Sequence, residues 1–244
     1  MIQLKHISHS FPKNDLFKDF NLEIAQGEFL ILMGDNGAGK STVCNFISGK
    51  IIPDSGQVLI AGKDVTALTE YKRAQDIAYV FQDPKAGTNA AMSVRENLSL
   101  ALNKGNAFSL KRAVVRSNDE KFVHLLSELD MGLENCLGQS VASLSGGQRQ
   151  ALSLIMATLN KPKILLLDEH TAALDPNIAK IILSKTREIA TKSDFTTVMI
   201  THNIPAAVAC GDRLIFLRQG RIRADFRGEA KAKLTVGDVA ELFE

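Results

Sequence analysis

The chain has 244 residues, of which 45% are hydrophobic and 23% charged, and its formal net charge is +2 at pH 7. This length suffices for one substantial core, or for one core with a smaller subdomain, and the near-neutral charge gives no electrostatic footprint for a nucleic-acid partner. The 3 cysteines are scattered without C-x-x-C spacing, so neither a disulfide framework nor a zinc site is indicated.

A phosphate-binding motif is the first strong signal along the chain. The segment GDNGAGKS at 34–41 fits G-x-x-x-x-G-K-[ST], and it lies between the apolar run 29–33 and a helix-like segment at 42–47. Glycines in such a loop let N–H groups point at phosphates, and the following helix presents its positive end. Lys40 is expected to meet the β- and γ-phosphates and Ser41 to bind Mg²⁺. An ordinary glycine turn before a helix is the alternative.

The middle of the chain changes from short apolar runs to helical periodicity. Residues 94–102 and 121–129 both follow the helical pattern, so inserted helices fit better than more strands. Loops are predicted at 104–109 and 130–135. The basic segment 111–116 is better explained as a solvated helix face than as a contact with acidic lipid headgroups.

The segment LSGGQ at 144–148 is a second anion-binding signal. Ser145 is a good N-cap, and residues 149–159 have a helical pattern. Two glycines at a capped helix start form an anion site that one chain does not need for a single nucleotide. A plain glycine-containing loop is the alternative.

A short apolar run at 164–167 is followed by two adjacent carboxylates. The run predicts a strand buried in a parallel sheet, and Asp168 and Glu169 stand at its carboxyl end, where ligands bind in open α/β sheets. We expect Asp168 to hold Mg²⁺ through water and Glu169 to orient or deprotonate the attacking water. A plain core strand would leave both carboxylates unexplained. His202 follows another apolar strand at 197–200, where an isolated histidine would more often be structural.

These motifs resemble, in order and spacing, the ATP-binding cassette (ABC) ATPases over about residues 2–220. The resemblance implies an α/β P-loop ATPase with a parallel core sheet, an antiparallel N-terminal β-subdomain and an inserted helical subdomain. It divides a single domain, 1–244, into a catalytic core (1–85 and 160–220), a helical subdomain with the signature motif (86–159) and a short tail (221–244). A last helix is predicted at 234–243.

The resemblance also assigns roles to further residues. Gln82 matches the Q-loop glutamine, which contacts Mg²⁺ or water, and His202 matches the switch histidine that reaches the γ-phosphate. Phe11 takes the adenine-stacking position, although a core role for Phe11 and a rival in Phe17 stay open. The segment LSGGQ at 144–148 matches the signature motif of the family. This motif would close on ATP bound to a partner subunit, giving a homodimer that sandwiches two nucleotides. The expected nucleotide-binding residues are Phe11, Gly34, Asn36, Gly37, Ala38, Gly39, Lys40, Ser41, Thr42, Gln82, Ser145, Gly146, Gly147, Gln148 and Asp175; the metal set is Ser41, Gln82 and Asp168, and the catalytic set is Lys40, Glu169 and His202.

One departure from the family pattern falls beside the catalytic base. His170 stands where most members have proline. A neutral imidazole there would orient Glu169 and a protonated one would weaken it as a base, so turnover is expected to fall through the mid-6 pH range, unless the side chain points away.

The expected function is ATP hydrolysis by a homodimer that drives import of a small solute, such as an amino acid. The runs at 81–87 and 168–175 resemble importer ATPases that work with a separate permease and a periplasmic solute-binding protein. No stretch approaches the ~20 apolar residues of a membrane span, and no signal peptide is visible, so we expect a cytoplasmic protein held on the inner face of the membrane by a permease. The permease contact is expected at about 83–97. Alternatives are a non-transport ABC ATPase, such as one for iron–sulfur assembly, an exporter or lipid-transport ATPase, or a scaffold without turnover, against which Glu169 and His202 argue.

Overall fold

The structure is a computed structural model that describes residues 1–12, 14–104, 114–193 and 195–244. Most of the predicted loop at 104–109 and the first half of the basic segment at 111–116 lie outside the described residues. The strands are β1 (Ile2–Phe11), β2 (Asn14–Ile24), β3 (Phe29–Gly34), β4 (Ser55–Ile60), β5 (Lys63–Asp64), β6 (Ile77–Val80), β7 (Ile164–Asp168), β8 (Thr196–Ile200), β9 (Arg213–Arg218) and β10 (Arg221–Arg227). The α-helices are α1 (Lys40–Ser48), α2 (Glu70–Arg73), α3 (Val94–Leu102), α4 (Asp119–Ser127), α5 (Gly146–Thr158), α6 (Pro176–Ser193), α7 (Ile204–Ala209), α8 (Gly228–Ala232) and α9 (Val236–Glu241).

An antiparallel sheet forms the N-terminal part of the protein, in the order β2-β1-β4-β5. Strand β1 buries Ile2, Leu4 and Ile7 and pairs antiparallel with β2 and β4. Its apolar residues join the core that also covers one face of α1. The sheet therefore brings the end of β1, with Phe11, to the first helix of the phosphate loop.

The central sheet has the order β10-β9-β3-β8-β7-β6, and all of its strands except β10 run parallel. Strands β3 and β8 are buried along their whole length, as expected for parallel strands covered on both faces. Alternate residues of β7 enter two cores, with Leu166 on one face and Leu165 and Leu167 on the other. The carboxyl ends of β3, β7 and β8 consequently carry the predicted site residues to one edge.

A third core holds the helical region together. Its members include Val94 of α3, Phe122 of α4 and Leu152 of α5. The helix predicted at 94–102 is confirmed, and the helix predicted at 121–129 is found at 119–127. The segment predicted as a loop at 130–135 ends in a 3₁₀ turn, Leu133–Cys136, whose buried Leu133 belongs to this core.

The C-terminal segment differs from the expected short tail. It begins with β10, which pairs antiparallel with β9 and becomes an edge strand of the central sheet. Charged residues alternate there with the half-buried Ile222, Ala224 and Phe226, a period of two that predicts a strand with one covered face. Helix α9 confirms the last predicted helix. Among the helices in the described part of the chain, none is both long and apolar enough to cross a membrane.

Candidate active site

The loop between β3 and α1 has the conformation that its glycines permit. Gly39 precedes α1 with φ 103°, and a Cβ at this position would overlap the ring of Phe17. Gly34 ends β3 with φ 143°, where a Cβ would overlap the carbonyl oxygen of Leu217. Side chains at these two positions would displace the loop from the core, so the phosphate-loop pattern has a steric basis here.

Lys40 lies inside this loop. Its Nζ donates hydrogen bonds to the carbonyl oxygens of Gly34 and Asp35, each at 2.9 Å, and its side chain is buried. Burial lowers the pKa of the Lys40 ammonium, and the carboxylates of Glu169, Asp35 and Asp168 oppose that shift. The cation is therefore held at the loop, next to the first helical N–H groups, where phosphate oxygens would meet both.

Ser41 and Asp168 provide oxygen ligands for a cation. The Ser41 hydroxyl lies 3.4 Å from Oδ1 of Asp168, across the edge between α1 and β7. No group of three or more His, Cys, Asp or Glu side chains able to hold a metal is found within the described residues. Magnesium in phosphate-transfer sites is bound through one or two protein oxygens together with water and substrate phosphates, so this pair fits Mg²⁺.

Tyr79 is a residue of this site that the sequence analysis missed. Its hydroxyl donates to Oδ2 of Asp168 at 2.9 Å, and its ring stacks on Phe81 with centroids 4.6 Å apart. Burial, together with the nearby charge of Asp168, raises the pKa of the phenol well above its usual value. The only sequence signal was a tyrosine within an apolar run, and its importance depends on the pairing of β6 with β7.

Glu169 and His202 form a direct pair. Nε2 of His202 lies 2.9 Å from Oε1 of Glu169. Glu169 follows β7 in a left-handed conformation with φ 45°, and its N–H donates to the carbonyl of Ile200 at 3.0 Å. Such conformations are uncommon for residues other than glycine, and they concentrate at functional sites. The carboxylate is thereby turned toward the imidazole and the phosphate loop.

A cavity of about 340 Å³ brings half of the predicted residues together. Its lining is Phe11, Leu16, Asn36, Gly37, Gly39, Lys40, Ser41, Thr42, Glu169 and His202. Phe11 lines this cavity and is 41% exposed, whereas Phe17 is 1% exposed in the core, so the geometry favours Phe11 over Phe17 as the base-stacking residue. His9 packs edge-on against Phe11, with ring centroids 4.8 Å apart.

The signature residues form a helix cap outside that cavity. Ser145 and Gln148 make a capping box at the start of α5, and Nε2 of Gln148 also donates to the Met131 carbonyl at 3.2 Å. A Cβ at Gly147 would overlap Ile178 of α6, while Gly146 faces open space. Asp175 similarly accepts from the Asn177 N–H at 2.9 Å, at the beginning of α6.

Hydrogen bonds connect the segment around Gln82 to α5, the helix that begins with the signature residues and is called the signature helix below. Gln82 itself is exposed in the loop that follows β6. Nε2 of Gln150 donates to the Phe81 carbonyl at 3.4 Å, and Nε of Arg149 donates to Oγ1 of Thr88 at 2.7 Å. These two bonds connect α5 directly to both sides of Gln82.

The expectation for His170 is wrong. The imidazole is buried, and its Nε2 is hydrogen-bonded to Oγ1 of Thr186 on α6 at 3.0 Å. Burial lowers its pKa to about 4, so the ring stays neutral across the pH range in which it was expected to titrate. His170 therefore anchors the segment after Glu169 to α6.

A sequence profile described as ABC transporter matches residues 17–172 of the chain. A tyrosine transport ATP-binding protein of Clostridioides difficile is 46% identical over 249 residues, covering 100% of this chain and 99% of that protein. A spermidine/putrescine import ATP-binding protein of Haemophilus influenzae is 34% identical over 92% of this chain, which spans only 57% of that relative's length.

The fold is also similar to solved structures of ATP-binding cassettes. An ADP conformation of an ATP-binding cassette from an ABC transporter superimposes with a TM-score of 0.82 at 26% identity, covering 99% of this chain and 96% of that one. A dimeric, post-hydrolysis cassette bound to ADP and Pi superimposes with a TM-score of 0.78 at 27% identity, covering 93% and 98%.

Proposed function

This chain belongs to the ABC transporter family and is an ATPase, and from that premise we propose that it is the ATP-hydrolysing subunit of an importer for a small solute. The observation that carries the catalytic part is the contact between Glu169 and His202 at 2.9 Å, on the cavity that the phosphate loop lines. A carboxylate beside a phosphate-binding lysine has the position of a base for an attacking water.

Each residue then has a defined task during hydrolysis. Lys40 and the N–H groups of the phosphate loop bind the β- and γ-phosphates, and Phe11 stacks on the base. Ser41 and Asp168 would hold Mg²⁺, which would supply positive charge to neutralise the phosphates. Glu169 orients the attacking water and takes its proton, and His202 keeps the carboxylate turned toward the γ-phosphate.

The signature residues would complete the site of a second copy. The cap at Ser145 begins α5 at this point, and open space surrounds Gly146 in its first turn. Helix N-termini favour anions, so this surface suits the γ-phosphate bound to a partner. The dimeric structure of a related cassette with ADP and Pi supports a homodimer, and the head-to-tail arrangement is part of our proposal.

The transport role rests on similarity over the whole chain to the tyrosine transport protein. We propose that the solute is an amino acid of the aromatic class, delivered by a periplasmic binding protein and passed through a separate membrane permease. The protein would then sit on the cytoplasmic face of the membrane through that permease.

A groove beside the Q-loop is suited to the permease. It has a volume of about 620 Å³ and is lined by residues of 85–90 together with Asn97, Leu100, Arg149 and Met156. Leu100 is 48% exposed there, and Ala86 and Ala90 add small side chains, which suits a helix from another chain. Arg95 lies within the segment 83–97 of the expected permease contact and pairs with Asp119 at 2.8 Å, so Leu100 is the better probe of this surface.

The test is solute uptake in the source organism after deletion of the gene. Cells without the gene should lose uptake of radiolabelled tyrosine or phenylalanine but keep uptake of spermidine, and the wild-type gene should restore it. Glu169→Gln should fail to restore uptake because hydrolysis is lost.

The Leu100→Asp variant separates docking from catalysis. It should hydrolyse ATP normally as an isolated protein but fail to restore uptake, whereas Val236→Asp, at an equally exposed apolar residue of α9, should restore it. Normal amino-acid uptake in the deletion strain, with a loss of iron–sulfur enzyme activity instead, would replace the transport role by the assembly role.

A further inference from the structure

Asp168 is held by two hydroxyl groups, one on each carboxylate oxygen. Oδ1 lies 3.4 Å from the Ser41 hydroxyl, while Oδ2 accepts a 2.9 Å hydrogen bond from Tyr79. A carboxylate without the second bond would be free to rotate about its terminal torsion, because that torsion is broad. The Tyr79 bond selects the orientation in which Oδ1 faces Ser41.

Tyr79 is itself tightly fixed. It lies on β6 directly opposite Leu166 of β7, it packs against the core beneath α1, and its ring stacks on Phe81. Tyr79 also belongs to the strand that leads to Gln82, and the Phe81 carbonyl accepts a hydrogen bond from Gln150 of α5. The phenol therefore joins the cation site to the segment that contacts the signature helix.

We propose that Tyr79 is a positioning residue for the magnesium site. Its hydroxyl fixes the carboxylate of Asp168 and links the orientation of that carboxylate to strand β6, which leads to Gln82. This inference rests on the proposed role of Asp168 in holding Mg²⁺. Partners that orient a metal-binding side chain typically contribute 10–100-fold to metal affinity. The Tyr79 ring contributes packing as well, so the hydroxyl alone has to be removed to isolate this role.

The sequence offers a matched control, because the chain contains 2 tyrosines. Tyr71 is 87% exposed on α2, whereas Tyr79 is partly buried. Tyr79→Phe and Tyr71→Phe remove the same atom from the two environments. The affinity for Mn²⁺, used as a paramagnetic substitute for Mg²⁺, is measured by electron paramagnetic resonance in the presence of ADP, where no turnover occurs.

Tyr79→Phe should weaken Mn²⁺ binding by about tenfold and leave ADP binding without metal unchanged, while Tyr71→Phe should change neither. Asp168→Ala tests the metal site itself. If Asp168→Ala weakens Mn²⁺ binding and Tyr79→Phe does not, the role of Tyr79 is overturned. If Asp168→Ala also leaves Mn²⁺ binding unchanged, the proposed metal site is wrong.

A second measurement does not require the loss of Tyr79. In Tyr71→Phe protein labelled with ¹³C-tyrosine, the single remaining tyrosine gives one Cζ resonance. This resonance should shift when Asp168 is changed to Asn, because the acceptor becomes a neutral amide, and it should shift on addition of Mg²⁺ with ADP. A resonance that moves in neither case would contradict the proposal.

Discussion

At the scale of single residues, the site separates binding from chemistry. Lys40 is enclosed by carbonyls of the phosphate loop, whereas Glu169 stands across the cavity against His202. Removing Glu169 should therefore leave ATP binding measurable, whereas removing Lys40 should affect binding first.

Lys40→Ala is expected to abolish ATP binding or turnover, while Glu169→Gln should keep ATP binding and lose hydrolysis. The amide retains the hydrogen bond to His202 but cannot accept the proton of water, so turnover should fall about 10²–10⁴-fold. ATP binding by filter retention and phosphate release measured on the same preparations distinguish these outcomes. Near-normal turnover in Glu169→Gln would remove Glu169 from the catalytic set.

His170 should affect stability below neutral pH and leave the pH profile of catalysis unchanged. Its folded-state pKa, about 4, lies below the ordinary 6.5, so the unfolded chain binds a proton that the folded chain does not. The contribution of neutral His170 to the free energy of unfolding is complete above pH 6.5. It is lost as the pH falls toward 4, by up to about 3 kcal/mol.

Urea unfolding at several pH values checks this, with His170→Asn as reference because an amide can still bond to Thr186. The difference in unfolding free energy between the two proteins should change between pH 6.5 and 4. A shift in the turnover profile near pH 6.5 on substitution would restore the original expectation that His170 acts on Glu169.

At the scale of elements, α5 holds the Q-loop segment through side chains. Thr88 is buried, donates to the Pro84 carbonyl at 2.8 Å and accepts from Arg149 at 2.7 Å. This one hydroxyl therefore supports both the turn after Gln82 and the link to the signature helix.

Thr88→Val should lower the free energy of unfolding by about 1–3 kcal/mol, because it removes the hydrogen bond from the Arg149 guanidinium and one of the two hydrogen bonds to the Pro84 carbonyl, which keeps the Gly87 N–H. The control is Thr191, whose hydroxyl donates to the Arg187 carbonyl on the exposed face of α6. Thr191→Val should change the free energy of unfolding by no more than about 0.5 kcal/mol. Equal effects of the two substitutions in urea unfolding would show that the Thr88 link is dispensable.

Across the whole molecule, the features that could be predicted are those encoded by residues close together in the sequence. The phosphate loop and the cap at Ser145 are encoded within a few consecutive residues, so their chemistry was predicted directly. The bond from Tyr79 to Asp168 depends on the pairing of β6 with β7, and no local pattern reveals it.

Two features were not predicted, for different reasons. The His170 side chain turns toward Thr186 because of how α6 packs, and its one-residue distance from Glu169 was misleading. Strand β10 was missed because its charged residues dominate the composition, although its period of two marks one covered face. Distant packing decided the orientation of His170, whereas the pattern of β10 is local and was outweighed by its charged composition.

Two copies of the chain are proposed to share each ATP, and mixing two inactive variants tests whether they do. Gly146→Glu suits the fold, since open space surrounds Gly146 and acidic residues stabilise helix N-termini, yet it puts a negative charge where the partner's phosphate is expected. Lys40→Ala disables only the phosphate loop. A mixed dimer has one site with both elements intact, so ATP turnover should reappear when the two proteins are mixed. If crosslinking confirms mixed dimers and turnover stays at the level of the separate variants, the shared site is contradicted.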